Sequence, residues 1–204
     1  MTVASGSATE TSVALFLFGV IMVFMKKKSV LVTGALGHIG SRLVREISPE
    51  VGEVRMLDNM EAKRFPSLYD LPKGRKYTFV EADIRTANFD ELLKGVDVVI
   101  HLAALSEAEK SVEYKNLVEE VNIKGLKRVV EACLKNKVRL IFPSTTSVYG
   151  DKIPLVSETG EISPQSPYAD SKFRGEELIR SYSLILFPGK WLVNPNQRWM
   201  DSIK

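Results

Sequence analysis

A five-residue apolar strand signal, Ser29-Val30-Leu31-Val32-Thr33, runs straight into Gly34-Ala35-Leu36-Gly37-His38-Ile39-Gly40, and the residues after it carry helical spacing. Three glycines at intervals of three, between a strand and a helix, leave few folds open. Gly34 permits a tight turn, Gly37 lets a bound group approach the backbone, and Gly40 lets the helix pack close on the strand. The amides at the helix start, His38 and Ile39 among them, then face outward with the helix dipole behind them, which favours an anion such as a pyrophosphate. The His38 side chain itself reads as solvent-facing.

The rest of the chain repeats the same alternation. Short β-branched or aromatic runs predict strands over 29–33, 54–58, 77–80, 96–101 and 139–143, and amphipathic stretches predict helices over 39–47, 89–93, 114–136 and 167–181. Continuous apolar strands separated by helices imply a doubly wound α/β fold of Rossmann type, a parallel sheet covered on both faces. Ligands of such sheets bind beyond the carboxyl ends of the strands. Asp58 ends the second predicted strand, where a carboxylate accepts hydrogen bonds from ribose hydroxyls and repels a 2′-phosphate. The expected cofactor is therefore NAD rather than NADP, and Asn59, the next residue, is a further cofactor-binding candidate. Arg42 and Arg45 read as solvated helix-surface charges.

Composition narrows the partners. The 204 residues hold 28 Lys and Arg against 25 Asp and Glu, a net charge of +3 with both signs mixed, so no basic stripe exists for nucleic acid. The single cysteine, Cys133, excludes an internal disulfide framework and multi-cysteine metal sites, and points to a reducing, cytoplasmic setting with no metal. Cys133 itself is expected in the core. The apolar run 13–25 is followed by Lys26, Lys27 and Lys28. It is shorter than the ~20 residues of a membrane span, and its charge order is the reverse of a secretory signal. Residues 1–24 are accordingly expected to be an extension outside the fold, 25–183 the cofactor-binding domain, and 184–204, with Pro188, Gly189 and Pro195, a divergent tail. A membrane is not an expected partner.

Tyr168 and Lys172 stand four apart at the start of the last predicted helix, on one face. An ammonium nearby lowers a phenol's pKa and makes it usable as a base. The hydroxyl-rich segment Pro143-Ser144-Thr145-Thr146-Ser147-Val148-Tyr149-Gly150 lies at the end of the fifth predicted strand and offers a group to orient a substrate.

With these elements in order, the sequence resembles the extended short-chain dehydrogenase/reductase family, in its NAD-dependent sugar epimerase/dehydratase branch, over roughly 26–179. The resemblance rests on Thr33 to Gly40, Asp58-Asn59, Ala82-Asp83-Ile84-Arg85, His101-Leu102-Ala103-Ala104, Val121 to Gly125, the segment 143–150, and Pro164 to Lys172. It implies that Asp83 and Ile84 flank an adenine, that Leu102, Ala103 and Ala104 line the cofactor through their backbone, and that Asn122 supports the cofactor or a water near it. Thr145, Tyr168 and Lys172 would be the catalytic trio, and Tyr168 and Lys172 would also touch the cofactor. Each has a structural alternative: Asp83 capping a loop, Asn122 satisfying buried backbone, the alanines packing a strand end.

The family's dehydratases resemble one another in a glutamate just before the V-Y-G segment, where this chain has Ser147, and the stretch 151–158 resembles UDP-galactose 4-epimerases. The expected activity is thus epimerisation of a nucleotide sugar at C4 through a keto intermediate. The alternatives are an NAD-binding module with little turnover, a dehydratase or a carbonyl reductase. Members of the family continue for about a hundred residues beyond the lysine with a sugar-binding part. Nothing after Ser183 matches it. They also commonly pair through helices that correspond to 114–136 and 167–181, so the resemblance implies a homodimer.

Overall fold

A computed structural model describes residues 28–106, 112–150 and 161–186, with side chains through Tyr182. The apolar run 13–25, the stretch 151–158 and most of the tail 184–204 lie outside the described residues. In chain order the elements are β1 (Ser29–Thr33), α1 (His38–Glu46), β2 (Glu53–Asp58), β3 (Lys76–Glu81), α2 (Phe89–Leu92), β4 (Val98–His101), α3 (Lys115–Val118), α4 (Leu126–Asn136), β5 (Arg139–Ile141) and α5 (Pro167–Leu186). The five strands form one parallel sheet in the order β3-β2-β1-β4-β5. This is the Rossmann-type topology that the alternating pattern implied.

β1 is central, and its residues Val30 to Thr33 are buried. Val30 and Val32 enter the core shared with Leu43 and Val44 of α1 and Ile47 at its end, whereas Leu31 enters the opposite core with Leu126, Val129, Val130 and Cys133 of α4. Alternate residues of one strand thus feed two cores, which is why the strand carries no polar face. Burying each such side chain contributes about 1.5 to 3 kcal/mol. The α4 residues recur at helical spacing and bury one stripe. Burial pushes the Cys133 thiol up to about 12, so it is an inert core group.

Strand and helix bounds agree with the sequence expectation within two residues, except that α5 continues to Leu186. One difference is qualitative. The single helix expected over 114–136 contains a π-helical segment, Glu119–Gly125. Amphipathic spacing does not encode such a widened turn. It seats Gly125 against Ile84, where an added Cβ would lie 2.6 Å from Ile84 Cδ1. Among the described residues, no helix is long and apolar enough to cross a membrane.

The ends of β1 and β4 are joined by a side-chain bond. Thr33 Oγ1 accepts the Ala103 amide at 3.3 Å and lies 2.7 Å from His101 Nδ1. His101 is buried and stacked on Phe142. Burial, aided by the Lys172 charge, lowers its pKa from the usual 6.5 to about 3.

α1 begins against the turn after β1 because Gly40 has no side chain. A Cβ there would stand 2.2 Å from the Gly34 carbonyl oxygen and 2.9 Å from Ala35 Cα, both backbone atoms. Gly40→Ala should therefore destabilise the fold by about 2 kcal/mol or more, read by urea denaturation without any ligand. Full stability would contradict this packing. His101 generates a second outcome. As pH falls below about 6.5 the unfolded chain binds a proton that the folded chain refuses, so stability falls with pH at up to about 1.4 kcal/mol per unit. Carboxylates enter only below about 4.5. Urea melts between about pH 7 and 5 should show this slope, and His101→Gln should flatten it; equal slopes would contradict the assignment.

Candidate active site

The carboxyl edges of β1, β2 and β4 meet at the glycine loop. Gly34 has φ +65°, and a Cβ on it would lie 2.6 Å from Ala103 N and 2.7 Å from Leu102 C. The loop therefore touches the backbone after β4, and only a glycine permits that approach. Leu102 N donates to the Thr33 carbonyl at 3.0 Å, which completes the junction. Gly37 is the N-cap of α1, makes no side-chain cap, and is followed by no acidic residue in the first turn. The first helical bond runs from Ser41 N to the Gly37 carbonyl. Ile39 and Gly40 belong to that first turn, whose amides have no acceptor within the helix, and His38 is exposed beside them. Such a start, uncapped and without local negative charge, fits a bound phosphate.

Asp58 has a role that the sequence did not announce. Its two carboxylate oxygens accept Leu36 N at 3.0 Å and Met60 N at 2.9 Å, so it fastens the glycine loop to the end of β2. Each oxygen keeps further lone pairs for a ribose hydroxyl. Asn59 and Glu61 bond each other reciprocally, Asn59 Nδ2 to Glu61 Oε2 and Glu61 N to Asn59 Oδ1, both at 3.2 Å. Arg45 is not simply solvated: its guanidinium donates to the carbonyls of Ser67 and Tyr69 and holds down the connection between β2 and β3. Arg42 pairs with Glu46 on the exposed side of α1.

Asp83 is clamped by Arg85, whose Nε and Nη2 reach its two oxygens at 2.9 and 2.7 Å, and this ion pair holds the Asp83 carboxyl below the usual range. Ile84 is buried in the core. Asn122, on the π-helical segment, is buried and fully engaged. It exchanges bonds with both backbone groups of Leu105 and donates to Ser171 Oγ at 2.9 Å. It thereby ties the loop after β4, which includes Ala103 and Ala104, to α5.

α5 brings Tyr168 and Lys172 to the exit of β5. Thr145 caps the 3-10 turn Thr146–Tyr149, and its hydroxyl also hydrogen-bonds Tyr168. The three residues expected to act together are thus brought together. One expectation is corrected. Lys172 does not depress the Tyr168 phenol here: burial holds that phenol above its usual value, and the Thr145 bond only opposes the rise. The reason is where Lys172 points. Its Nζ donates to the Pro143 carbonyl at 3.1 Å and lies 4.5 Å over the Phe142 ring. Burial lowers Lys172 to about 8, against the pull of Glu176, which leaves it mostly cationic at neutral pH. Glu176 is also buried and accepts the Ser144 hydroxyl. Sequence reading missed Thr33, Ser144, Ser171 and Glu176. For Glu176 a signal existed, its place one helical turn after Lys172.

Comparison with known proteins extends this picture. The model of the NAD-dependent epimerase/dehydratase family matches residues 30–184. An uncharacterized UDP-glucose epimerase of Bacillus subtilis is 36% identical over 161 residues, 75% of this chain and 51% of that protein. The dTDP-glucose 4,6-dehydratase of Salmonella typhimurium is 31% identical over 179 residues, 75% of this chain and 50% of that enzyme. Among solved structures, a UDP-N-acetylglucosamine 4-epimerase from Methanobrevibacter ruminantium, in complex with UDP-N-acetylmuramic acid, superposes with a TM-score of 0.75 at 31% identity, covering 83% of this chain and 54% of that one. A UDP-glucuronic acid 4-epimerase from Bacillus cereus in complex with NAD gives 0.69 at 30%, covering 81% and 55%. The chain spans about half the length of the curated relatives it matches. With the family model matching most of the chain and the fold shared, this protein belongs to the NAD-dependent epimerase/dehydratase family.

Proposed function

We propose that this chain is the NAD-binding and catalytic half of a nucleotide-sugar 4-epimerase. The observation that carries the reading is the convergence of Thr145, Tyr168 and Lys172 at the exit of β5, on the same carboxyl side of the sheet as the glycine turn. The first turn of α1 would hold the pyrophosphate and Asp58 the adenosine ribose. Asp83 and the Ile84 backbone would border the adenine, and the backbone of Leu102 to Ala104 would line the middle of the cofactor. Asn122 keeps that lining in place. When bound, NAD⁺ would supply the redox chemistry, as acceptor and then donor of a hydride at C4 of the sugar.

The protein's own part is proton transfer and orientation. Thr145 holds the sugar 4-hydroxyl in line with Tyr168, and Tyr168 takes its proton as C4 is oxidised and gives it back on return. Burial makes Tyr168 a weak base by itself. When bound, the oxidised cofactor would bring the positive charge that favours the phenolate. A dehydratase reading, which relatives also represent, needs a carboxylic acid beside Thr145. That place holds Ser147, exposed and bonded to Thr145, and favours the epimerase. On the same reading, the sugar-binding part corresponds to the portion of the relatives outside the match. The buried Cys133 supports a reducing, cytoplasmic setting. Exposed Val112 and Tyr114 at the approach to α3 support pairing of two copies there.

The full chain should bind NAD(H) in preference to NADP(H), and Asp58→Ala should weaken NAD binding by about 1 to 3 kcal/mol. Equal affinity of the wild type for both cofactors in calorimetric titration would sink the cofactor assignment. Reduction of bound NAD⁺ by a UDP-hexose, followed by NADH fluorescence, should slow ~10²- to 10⁴-fold in Tyr168→Phe with cofactor affinity nearly intact. An unchanged rate in that variant would remove Tyr168 from the mechanism.

A further inference from the structure

Lys172 and Glu176 lie four apart on the buried face of α5, 7% and 6% exposed. They hold consecutive residues at the exit of β5: Lys172 donates to the Pro143 carbonyl, and the Ser144 hydroxyl donates to the Glu176 carboxylate. Thr145 is the next residue along the chain, and Tyr168 sits one turn before Lys172 on the same helix. The helix that carries the base therefore grips, at two adjacent points, the segment that carries the orienting hydroxyl. Gly175 lets the two come close, since a Cβ there would lie 2.9 Å from both Leu126 Cδ2 and Phe142 Cζ. A buried carboxylate is costly unless partnered, and an apolar residue in its place would fasten helix to sheet at lower cost. What the carboxylate adds is direction, because a hydrogen bond fixes the Ser144 side chain as van der Waals packing cannot.

Resting on the roles given above to Thr145 and Tyr168, we propose that Glu176 is a positioning residue: it holds Ser144, and through the Ser144–Thr145 peptide it keeps the Thr145 hydroxyl against the Tyr168 phenol. Lys172 supplies the second grip from the same helix face. Among the described residues, Lys172, Glu176 and His101 are buried charged or titratable groups at this corner beside Tyr168, and His101 is neutral there.

The test is a spectrophotometric titration of Tyr168 in the cofactor-free full chain. Each variant is compared with the same variant carrying Tyr168→Phe, so that the other tyrosines cancel. Thr145 lowers the phenol's midpoint through its hydrogen bond, so Thr145→Val should raise that midpoint. Ser144→Ala and Glu176→Leu should raise it in the same direction, and neither should raise it further once Thr145→Val is present. Glu176→Gln, which keeps an acceptor for the Ser144 hydroxyl, should return the midpoint to the wild-type value or below. Ser144→Ala deletes one oxygen and decides the matter if Glu176→Leu does not fold. An unmoved midpoint in folded Ser144→Ala, or a rise that persists on the Thr145→Val background, overturns the proposal. Failure of the wild-type chain to bind NAD would instead overturn the proposed function and leave this result standing.

Discussion

The close approach of the β1 turn to the backbone after β4 is the constraint on which everything else depends. Gly34 sits so near Leu102 and Ala103 that no other side chain fits, and Gly40 brings the start of α1 onto the same turn. These two missing Cβ atoms set the helix start over the sheet's central carboxyl edge. Asp58 then secures the loop from the side through Leu36 N, and Thr33 secures it from below through His101 and Ala103. The turn is therefore held by the chain's own contacts, which would lower the ordering cost of binding a ligand there.

A second assembly completes the site from the other direction. α5 reaches the exit of β5 with a tyrosine, a lysine and a glutamate at one-turn intervals, and Asn122 links that helix back to the loop after β4 through Ser171 and Leu105. Several of these groups are expensive to bury. Among the described residues, Lys172 has a carbonyl, an aromatic face and the Glu176 charge in place of water, and its lowered pKa records that cost. Polar burial of this kind marks places where stability yields to function.

Much of this was legible in the sequence because it is local. Val30, Leu31 and Val32 announce a strand buried on both faces, Gly34 and Gly40 announce the turn, and the four-residue spacing of Tyr168 and Lys172 announces a shared face. What was not legible depends on partners far along the chain. Asp58 reads as a ribose acceptor, and its grip on Leu36 appears only when β2 lies beside β1. The spacing of Lys172 points toward Tyr168, yet its proton goes to Pro143, 29 residues earlier, because the exit of β5 offers a carbonyl at that depth. The π-helical turn of Glu119–Gly125 seats Gly125 on Ile84, a contact that no amphipathic pattern registers.

The central claim is that a dinucleotide lies along the carboxyl edge of β1, β2 and β4 with its pyrophosphate at the start of α1. Amide chemical-shift changes on adding NAD to the isotopically labelled full chain test it most directly. The account predicts the largest changes at Leu36 to Gly40, Asp58 to Met60 and Leu102 to Ala104, with small ones on the amino-terminal side of the sheet around Gly52 and Gly95. Changes centred elsewhere, or none at saturating NAD, would contradict it.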